Sequence, residues 1–126
     1  MRVFKTKWFA RFARNGGIAD KSLREAIERA EQGLIDADLG GGLIKQRVAR
    51  RGQGRSGGYR VILAYQAKDR AVFLFGFAKN ERENISADEL VFLREVAKNW
   101  LAAGNLTIQR ETEAGNLQEI EDGEET

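Results

Sequence analysis

The chain has 126 residues, of which 42% are hydrophobic, and it contains neither cysteine nor histidine. This length and composition predict one globular domain. The missing cysteine excludes disulfides, thiolate metal sites and cysteine nucleophiles, and the missing histidine removes the usual general base and the commonest metal ligand. Any acid–base chemistry must therefore use Lys, Arg, Tyr, Asp, Glu or bound water.

The net charge of +2 conceals two parts of opposite charge. Residues 1–104 hold 20 Lys and Arg against 12 Asp and Glu, whereas residues 105–126 hold one Arg against seven acidic residues. We predict a basic folded domain at 1–104, followed by an acidic, flexible tail at 105–126 that is partly or wholly disordered.

The sequence contains no candidate membrane segment. No stretch reaches the roughly 18 consecutive apolar residues that a membrane span needs. The N-terminal stretch MRVFKTKWFARFARNGG also lacks the uninterrupted apolar region of a signal peptide. We expect a cytoplasmic protein with no membrane partner.

Hydrophobic spacing along the first third of the chain predicts a short strand and two helices. The strand covers residues 1–5, and Thr6 is positioned to cap the first helix. Within that helix, Trp8 and Phe12 are expected in the core. Ser22 and Glu25 have the spacing of a capping box, which predicts the start of the second helix.

Three antiparallel strands and a final helix are predicted next. In the first of these strands Ile44 and Val48 share one face, whereas Lys45 and Arg47 share the other. Apolar runs at 59–67 and 71–77 predict the two buried strands that follow. A second capping box, Ser86 with Glu89, begins the last helix. This β-α-α-β-β-β-α order predicts an α+β fold with helices on one face of a small antiparallel sheet and basic residues on the exposed face.

Residues 40–60 form a glycine-rich basic hairpin without any acidic residue. Its cations are Lys45, Arg47, Arg50, Arg51, Arg55 and Arg60. Cations this dense repel one another, so their concentration favours a polyanionic partner such as RNA. The alternative is a solvated surface hairpin whose charges serve solubility.

Two stretches, GGGLIKQRVARRGQGRSGGYRVILAY and FLFGFAKNERENIS, resemble the RelE/ParE superfamily of toxins from bacterial type II toxin–antitoxin systems, particularly its HigB-like branch. The resemblance covers roughly residues 1–101. It implies a ribosome-dependent endoribonuclease that cuts messenger RNA in the ribosomal A site, without cofactor or metal. It also implies a cognate antitoxin, which we expect to be a helix-turn-helix DNA-binding protein.

The catalytic positions that the resemblance implies are Lys45, Arg47, Arg60, Lys79 and Glu81. The residues expected to bind RNA are Arg50, Arg51, Arg55, Tyr59 and Asn80. The chain departs from RelE at two positions, since RelE has an arginine in place of Asn80 and a catalytic tyrosine in place of Ser86. The chemistry of RelE therefore cannot be transferred whole.

RNA can be cut without metal when its own 2′-OH attacks the adjacent phosphate. Arginine and lysine suit such a reaction because they place fixed positive charge where negative charge develops. Crowding by arginines favours the neutral form of a lysine, so Lys45 is one candidate general base, and Glu81 is the other. Tyr59 or Tyr65 is a candidate for stacking on a base.

Three other functions remain open at this point. A gyrase-inhibiting toxin of the ParE type shares the fold but cuts no RNA. A non-catalytic RNA-binding module would need only the basic hairpin, and a degenerate toxin would retain only antitoxin binding. The acidic tail is a solubilising extension, an autoinhibitor folded over the basic face, or an antitoxin contact.

Overall fold

The computed structural model describes residues 1–49 and 57–121, which form six strands and four helices. In chain order these are β1 (Arg2–Thr6), α1 (Lys7–Gly16), α2 (Asp20–Glu31), β2 (Ala37–Gly40), β3 (Leu43–Val48), β4 (Tyr59–Gln66), β5 (Arg70–Ala78), α3 (Ala87–Ala102), α4 (Asn105–Glu113) and β6 (Leu117–Glu119). None of the helices in this part of the chain is long and apolar enough to cross a bilayer.

The strands form one sheet in the order β2-β3-β4-β5-β1-β6. The predicted α+β architecture is confirmed, and β3, β4 and β5 are antiparallel neighbours as expected. However, the sheet is mixed, because β1 lies parallel to β5. It also contains two strands, β2 and β6, that the sequence pattern did not predict. The interior position of β4 agrees with the apolar residues on both of its faces.

Helices pack against both faces of the sheet. On one face α1 and α2 bury Phe9 and Leu23 against Val61, and on the other face α3 and α4 bury Leu93 and Ile108 against Ile62. Consecutive residues of a strand point to opposite faces, so two apolar neighbours on β4 require cover on both sides. The structure therefore corrects the expectation that helices cover one face only.

The helix starts follow the predicted caps in two cases out of three. Thr6 accepts the backbone N–H of Phe9, and Ser86 with Glu89 forms the complete capping box of α3. The box predicted at Ser22 is wrong, because α2 begins three residues earlier behind Ala19, which makes no side-chain cap.

Trp8 is not the core residue that its spacing predicted. Its side chain is 49% exposed and stacks on the rings of Phe12 and Phe75, with centroids 5.5 and 4.8 Å away. Phe12 itself is partly buried against the α1–α2 core, so the expectation for Phe12 holds in part. Trp8 stands at the start of α1, where β1 has already separated from β5.

Residues 105–121 are an ordered part of the fold, which corrects the prediction of disorder for this stretch. Ile108 on α4 is fully buried, and Leu117 on β6 is 2% exposed. β6 pairs antiparallel with β1, and Ile120 follows it into the opposite core. The acidic residues of the tail lie between these few apolar positions. Residues 122–126 lie outside the described part.

Gln46 is a fully buried amide on β3 that fixes the segment before β2. Its Nε2 donates to the carbonyls of Ala26 and Leu34, and its Oε1 accepts the backbone N–H of Asp36 at 2.8 Å. We expect Gln46→Leu to lower the free energy of unfolding by about 2–4 kcal/mol, because buried polar groups lose their partners. Chemical denaturation measures this change.

The matched control is Gln118→Leu, which changes an exposed glutamine on β6. A surface substitution of this kind typically alters stability by about 0.5 kcal/mol or less. Equal effects of the two substitutions would contradict the role given to Gln46.

Candidate nucleic-acid interface

Lys45, Arg47 and Arg60 lie on one face of the sheet, and we call these three residues the cationic face. Arg47 on β3 pairs directly with Arg60 on β4, and directly opposed residues project to the same side. Lys45 precedes Arg47 by two positions and shares its face. This is the side that α3 covers farther along the strands, because Ile62, the partner of Lys45, belongs to the α3–α4 core.

Arg47 and Arg60 are close enough to repel each other. Burial, followed by the positive charge of Arg47, lowers the pKa of Arg60 below its ordinary value, and the carboxylate of Asp36 offsets part of this effect. Neighbouring like charges raise the energy of the ligand-free face. A bound anion between them relieves that repulsion, so the arrangement suits a phosphate.

Asp36 supplies a carboxylate next to Arg47. One carboxylate oxygen accepts the backbone N–H of Arg47 at 2.6 Å, while the other lies 4.0 Å from the Arg47 Nε. The Arg47 side chain remains 52% exposed, so this long ion pair leaves its guanidinium accessible. Asp36 therefore bonds closely to the backbone of β3, whereas its ion pair with the Arg47 side chain is long.

The segment after β5 begins at the same end of the sheet. Ala78 pairs with Tyr59, and the Lys79 N–H donates to the carbonyl of Gly58 at 3.1 Å. This contact places Lys79 beside the start of β4, next to Arg60. Asn80 and Glu81 follow in an exposed turn. Of the predicted catalytic residues, Lys45, Arg47 and Arg60 therefore share one face, and the backbone of Lys79 lies at the same end of the sheet.

A network that sequence reasoning missed joins this turn to α3. The Arg82 guanidinium donates to both carboxylate oxygens of Glu89, at 2.5 and 3.3 Å, and lies 5.5 Å from the centroid of the Phe77 ring. Its Nε also donates to the backbone carbonyl of Asn84 at 3.0 Å. The Asn84 side chain reaches back to β3, where its Oδ1 accepts from the Lys45 Nζ at 3.3 Å.

Ser86 is engaged in the helix cap. Its Oγ accepts the Glu89 N–H at 3.1 Å, and its own N–H donates to the Glu89 carboxylate at 2.7 Å. The capping-box spacing gave a sequence signal for this pair. Nothing in that spacing signalled the additional bond from Arg82.

The Glu89 carboxylate makes stability depend on pH. The Arg82 hydrogen bond, followed by that of the Ser86 backbone, lowers the pKa of Glu89 from 4.5 to about 2. Because the folded value lies below the unfolded one, this stabilisation is present above pH 4.5 and is lost as the pH falls through 2. We expect Glu89→Gln to lower the Tm at pH 7. As the pH falls from 4.5 to 2, the Tm of this variant should approach that of the wild type.

Thermal unfolding over that pH range measures the difference in Tm, with Glu95→Gln as the control. Glu95 is exposed on the same helix and forms no ion pair within the described residues. A Glu89→Gln difference that stays constant with pH would contradict the role of the ion pair.

Tyr59 does not belong to the cationic face, which corrects the prediction that it stacks on a base. Its side chain is 5% exposed within the α1–α2 core, and its hydroxyl donates to the Gly16 carbonyl at 3.3 Å. Tyr65 packs against the same core, where burial raises the pKa of its hydroxyl. Both tyrosines therefore point away from the cations. Arg50, Arg51 and Arg55 lie outside the described residues.

Nothing in 1–49 or 57–121 forms a metal-binding group of three or more Asp and Glu side chains. A basic domain with cations clustered on one face is typical of proteins that bind nucleic acid.

The protein-family model for the RelE toxin of the RelE/RelB toxin–antitoxin system matches residues 1–120 of the chain. The chain belongs to this family, and it is a toxin of the RelE/ParE superfamily with a cognate antitoxin as partner. No curated protein sequence matches it significantly.

Proposed function

We propose that this toxin is a ribosome-dependent endoribonuclease of the HigB-like branch, which cuts messenger RNA in the cytoplasm. The observation that supports the proposal is the direct pairing of Arg47 with Arg60 beside Lys45. Three cations that share one face suit a phosphodiester that gains negative charge during the reaction.

In the proposed reaction the ribose 2′-OH attacks the adjacent phosphorus, and the bond to the 5′ oxygen of the next nucleotide breaks. The leaving 5′ oxygen takes a proton from water, so the products are a 2′,3′-cyclic phosphate and a free 5′-OH. Arg47 and Arg60 stabilise the additional charge on the phosphate oxygens, since guanidinium groups donate two hydrogen bonds in one plane. Lys45 and Lys79 contribute further positive charge.

Two groups are candidates for the base that accepts the 2′-OH proton. Lys45 lies on the cationic face itself, and Glu81 is exposed in the turn that follows β5. Asn80, which is exposed in the same turn, is proposed to donate hydrogen bonds to RNA. The antitoxin is proposed to be a helix-turn-helix DNA-binding protein.

The direct test is a brief induction of the toxin in growing cells, followed by mapping of messenger RNA ends and of DNA breaks. The proposal predicts discrete cuts within translated regions and intact DNA. DNA breaks without cuts in messages would instead favour a gyrase-inhibiting toxin of the ParE type. Binding to ribosomes without cuts would favour a non-catalytic RNA-binding module.

The three arginines at 50, 51 and 55 are proposed to bind backbone phosphates. We expect the triple change to Ala to weaken ribosome binding and to reduce its salt dependence by about 0.7 in log–log slope for each phosphate that is no longer neutralised. Binding measured at several salt concentrations gives this slope. The control changes Arg11, Arg14 and Arg110 to Ala, which removes the same charge from α1 and α4. Equal slopes for the two triple variants would contradict a specific role of the three arginines in phosphate binding.

A further inference from the structure

Asn84 is the one side chain, within the described residues, that hydrogen-bonds the ammonium of Lys45. Its Oδ1 accepts from the Lys45 Nζ at 3.3 Å and from the backbone N–H of Ile85 at 2.9 Å. An amide oxygen has two lone pairs, and these two donors occupy both of them. The two contacts also fix which end of the amide faces the lysine, because only the oxygen accepts.

Asn84 is itself held in place by α3. Its backbone carbonyl accepts from the Nε of Arg82, and the rest of that guanidinium is bonded to Glu89 in the first turn of the helix. Glu89 also accepts the N–H of Ser86. The Arg82–Glu89 pair thus forms a brace that fixes the backbone of Asn84 relative to both the helix and the Phe77 ring.

The position of the Lys45 ammonium matters because a lysine side chain is long and flexible. Confining such a side chain costs up to about 2 kcal/mol of conformational free energy, which a preorganised site does not have to supply during the reaction. A neutral amide confines the lysine without adding negative charge to the cationic face. An aspartate at this position would confine it equally well but would favour its charged form.

We propose that Asn84 is a positioning residue that holds the Lys45 ammonium on the cationic face, and that Arg82 and Glu89 act on the reaction only through Asn84. This inference rests on the proposed ribonuclease function. It extends the site from the sheet to the 79–86 segment and to the first turn of α3.

The test measures single-turnover cleavage of ribosome-bound message as a function of pH. Lys45→Arg is compared with the wild type first, and a limb of the pH–rate profile that differs between the two is the limb that depends on Lys45. Asn84→Asp then places a carboxylate beside the ammonium, which should move that limb to higher pH by about one unit or more. The control is Asn99→Asp, which adds the same charge at an exposed position of α3.

The brace is tested with Asn84→Ala, Glu89→Gln and the double variant. We expect each single variant to cleave about tenfold more slowly at its pH optimum, since the ammonium is no longer held. The double variant should be no slower than Asn84→Ala alone, because Glu89 acts through Asn84. Circular dichroism verifies that the variants are folded. If Glu89→Gln is unstable, Asn84→Ala and Asn84→Asp still test the inference, because Asn84 is exposed and its replacement should leave the fold intact.

Two results would overturn the inference while leaving the proposed function intact: an unmoved limb in Asn84→Asp, or an equal shift in Asn99→Asp, in each case with a wild type that cuts messages. If the losses of cleavage rate were fully additive in the double variant, the proposed role of the Arg82–Glu89 pair as a brace for Asn84 would be contradicted. A wild type that cuts no message at all would overturn the proposed function and this inference together.

Discussion

Replacing Arg60 by Ala should slow message cleavage by about 10²–10³-fold and abolish growth inhibition, while the protein remains folded. Arg60 lies on an interior strand, directly opposite Arg47 and next to the start of the 79–86 segment. Its loss removes one of the donors aimed at the developing charge. The fold should survive, because Arg60 belongs to neither hydrophobic core.

Two further variants make the Arg60 result specific. Arg60→Lys keeps the charge but loses the planar pair of donors, so we expect activity between that of wild type and Arg60→Ala. Arg110→Ala removes an arginine from α4 and should leave cleavage unchanged. Growth inhibition and cleavage in vitro are measured for all three variants. Full toxicity from a folded Arg60→Ala protein would remove Arg60 from the catalytic assignment.

Deleting residues 105–126 should unfold the domain rather than merely remove an acidic extension. The deletion removes three buried side chains, Ile108, Leu117 and Ile120, together with the strand that pairs with β1. Truncating one buried Leu or Ile to Ala typically costs about 2–5 kcal/mol, and a whole domain is typically stable by only about 5–15 kcal/mol. Circular dichroism and chemical denaturation of the truncated chain measure the effect.

The control deletes residues 122–126 only, which removes three acidic residues and leaves α4 and β6 in place. We expect this shorter deletion to retain wild-type stability. A folded, fully toxic 1–104 fragment would contradict the structural role of α4 and β6. The described part of the tail does not cover the cationic face, because β1 and β5 separate β6 from β4.

The order and faces of the central hairpin could be predicted because they depend on local alternation. Ile44 and Val48 are buried on one side of β3, while Lys45 and Arg47 lie on the other, as the period of two requires. The C-terminal elements were missed because their few apolar residues are spaced among acids. Their burial depends on pairing between β6 and β1, which lie at opposite ends of the chain.

The site could be predicted only in part, because some of its contacts join residues that are far apart in the sequence. Arg60 was expected near Lys45 and Arg47 because a hairpin brings neighbouring strands together. The partners of these cations come from elsewhere: Asp36 lies 11 residues before Arg47, and Asn84 lies 39 residues after Lys45. Tyr59 was predicted to bind RNA because of its aromatic ring. The alternation of β4, however, places Tyr59 on the other face of the sheet from Arg60.

The proposed reaction is tested most directly with programmed ribosomes whose message carries a single 2′-deoxynucleotide at the cut site. The toxin is incubated with this message and with the matching all-ribose message, and the ends of the fragments are analysed. If the ribose 2′-OH is the nucleophile, the all-ribose message is cut to a 2′,3′-cyclic phosphate and a 5′-OH, and the deoxy-substituted message stays intact at that position. Cutting of both messages at the same bond would contradict this mechanism.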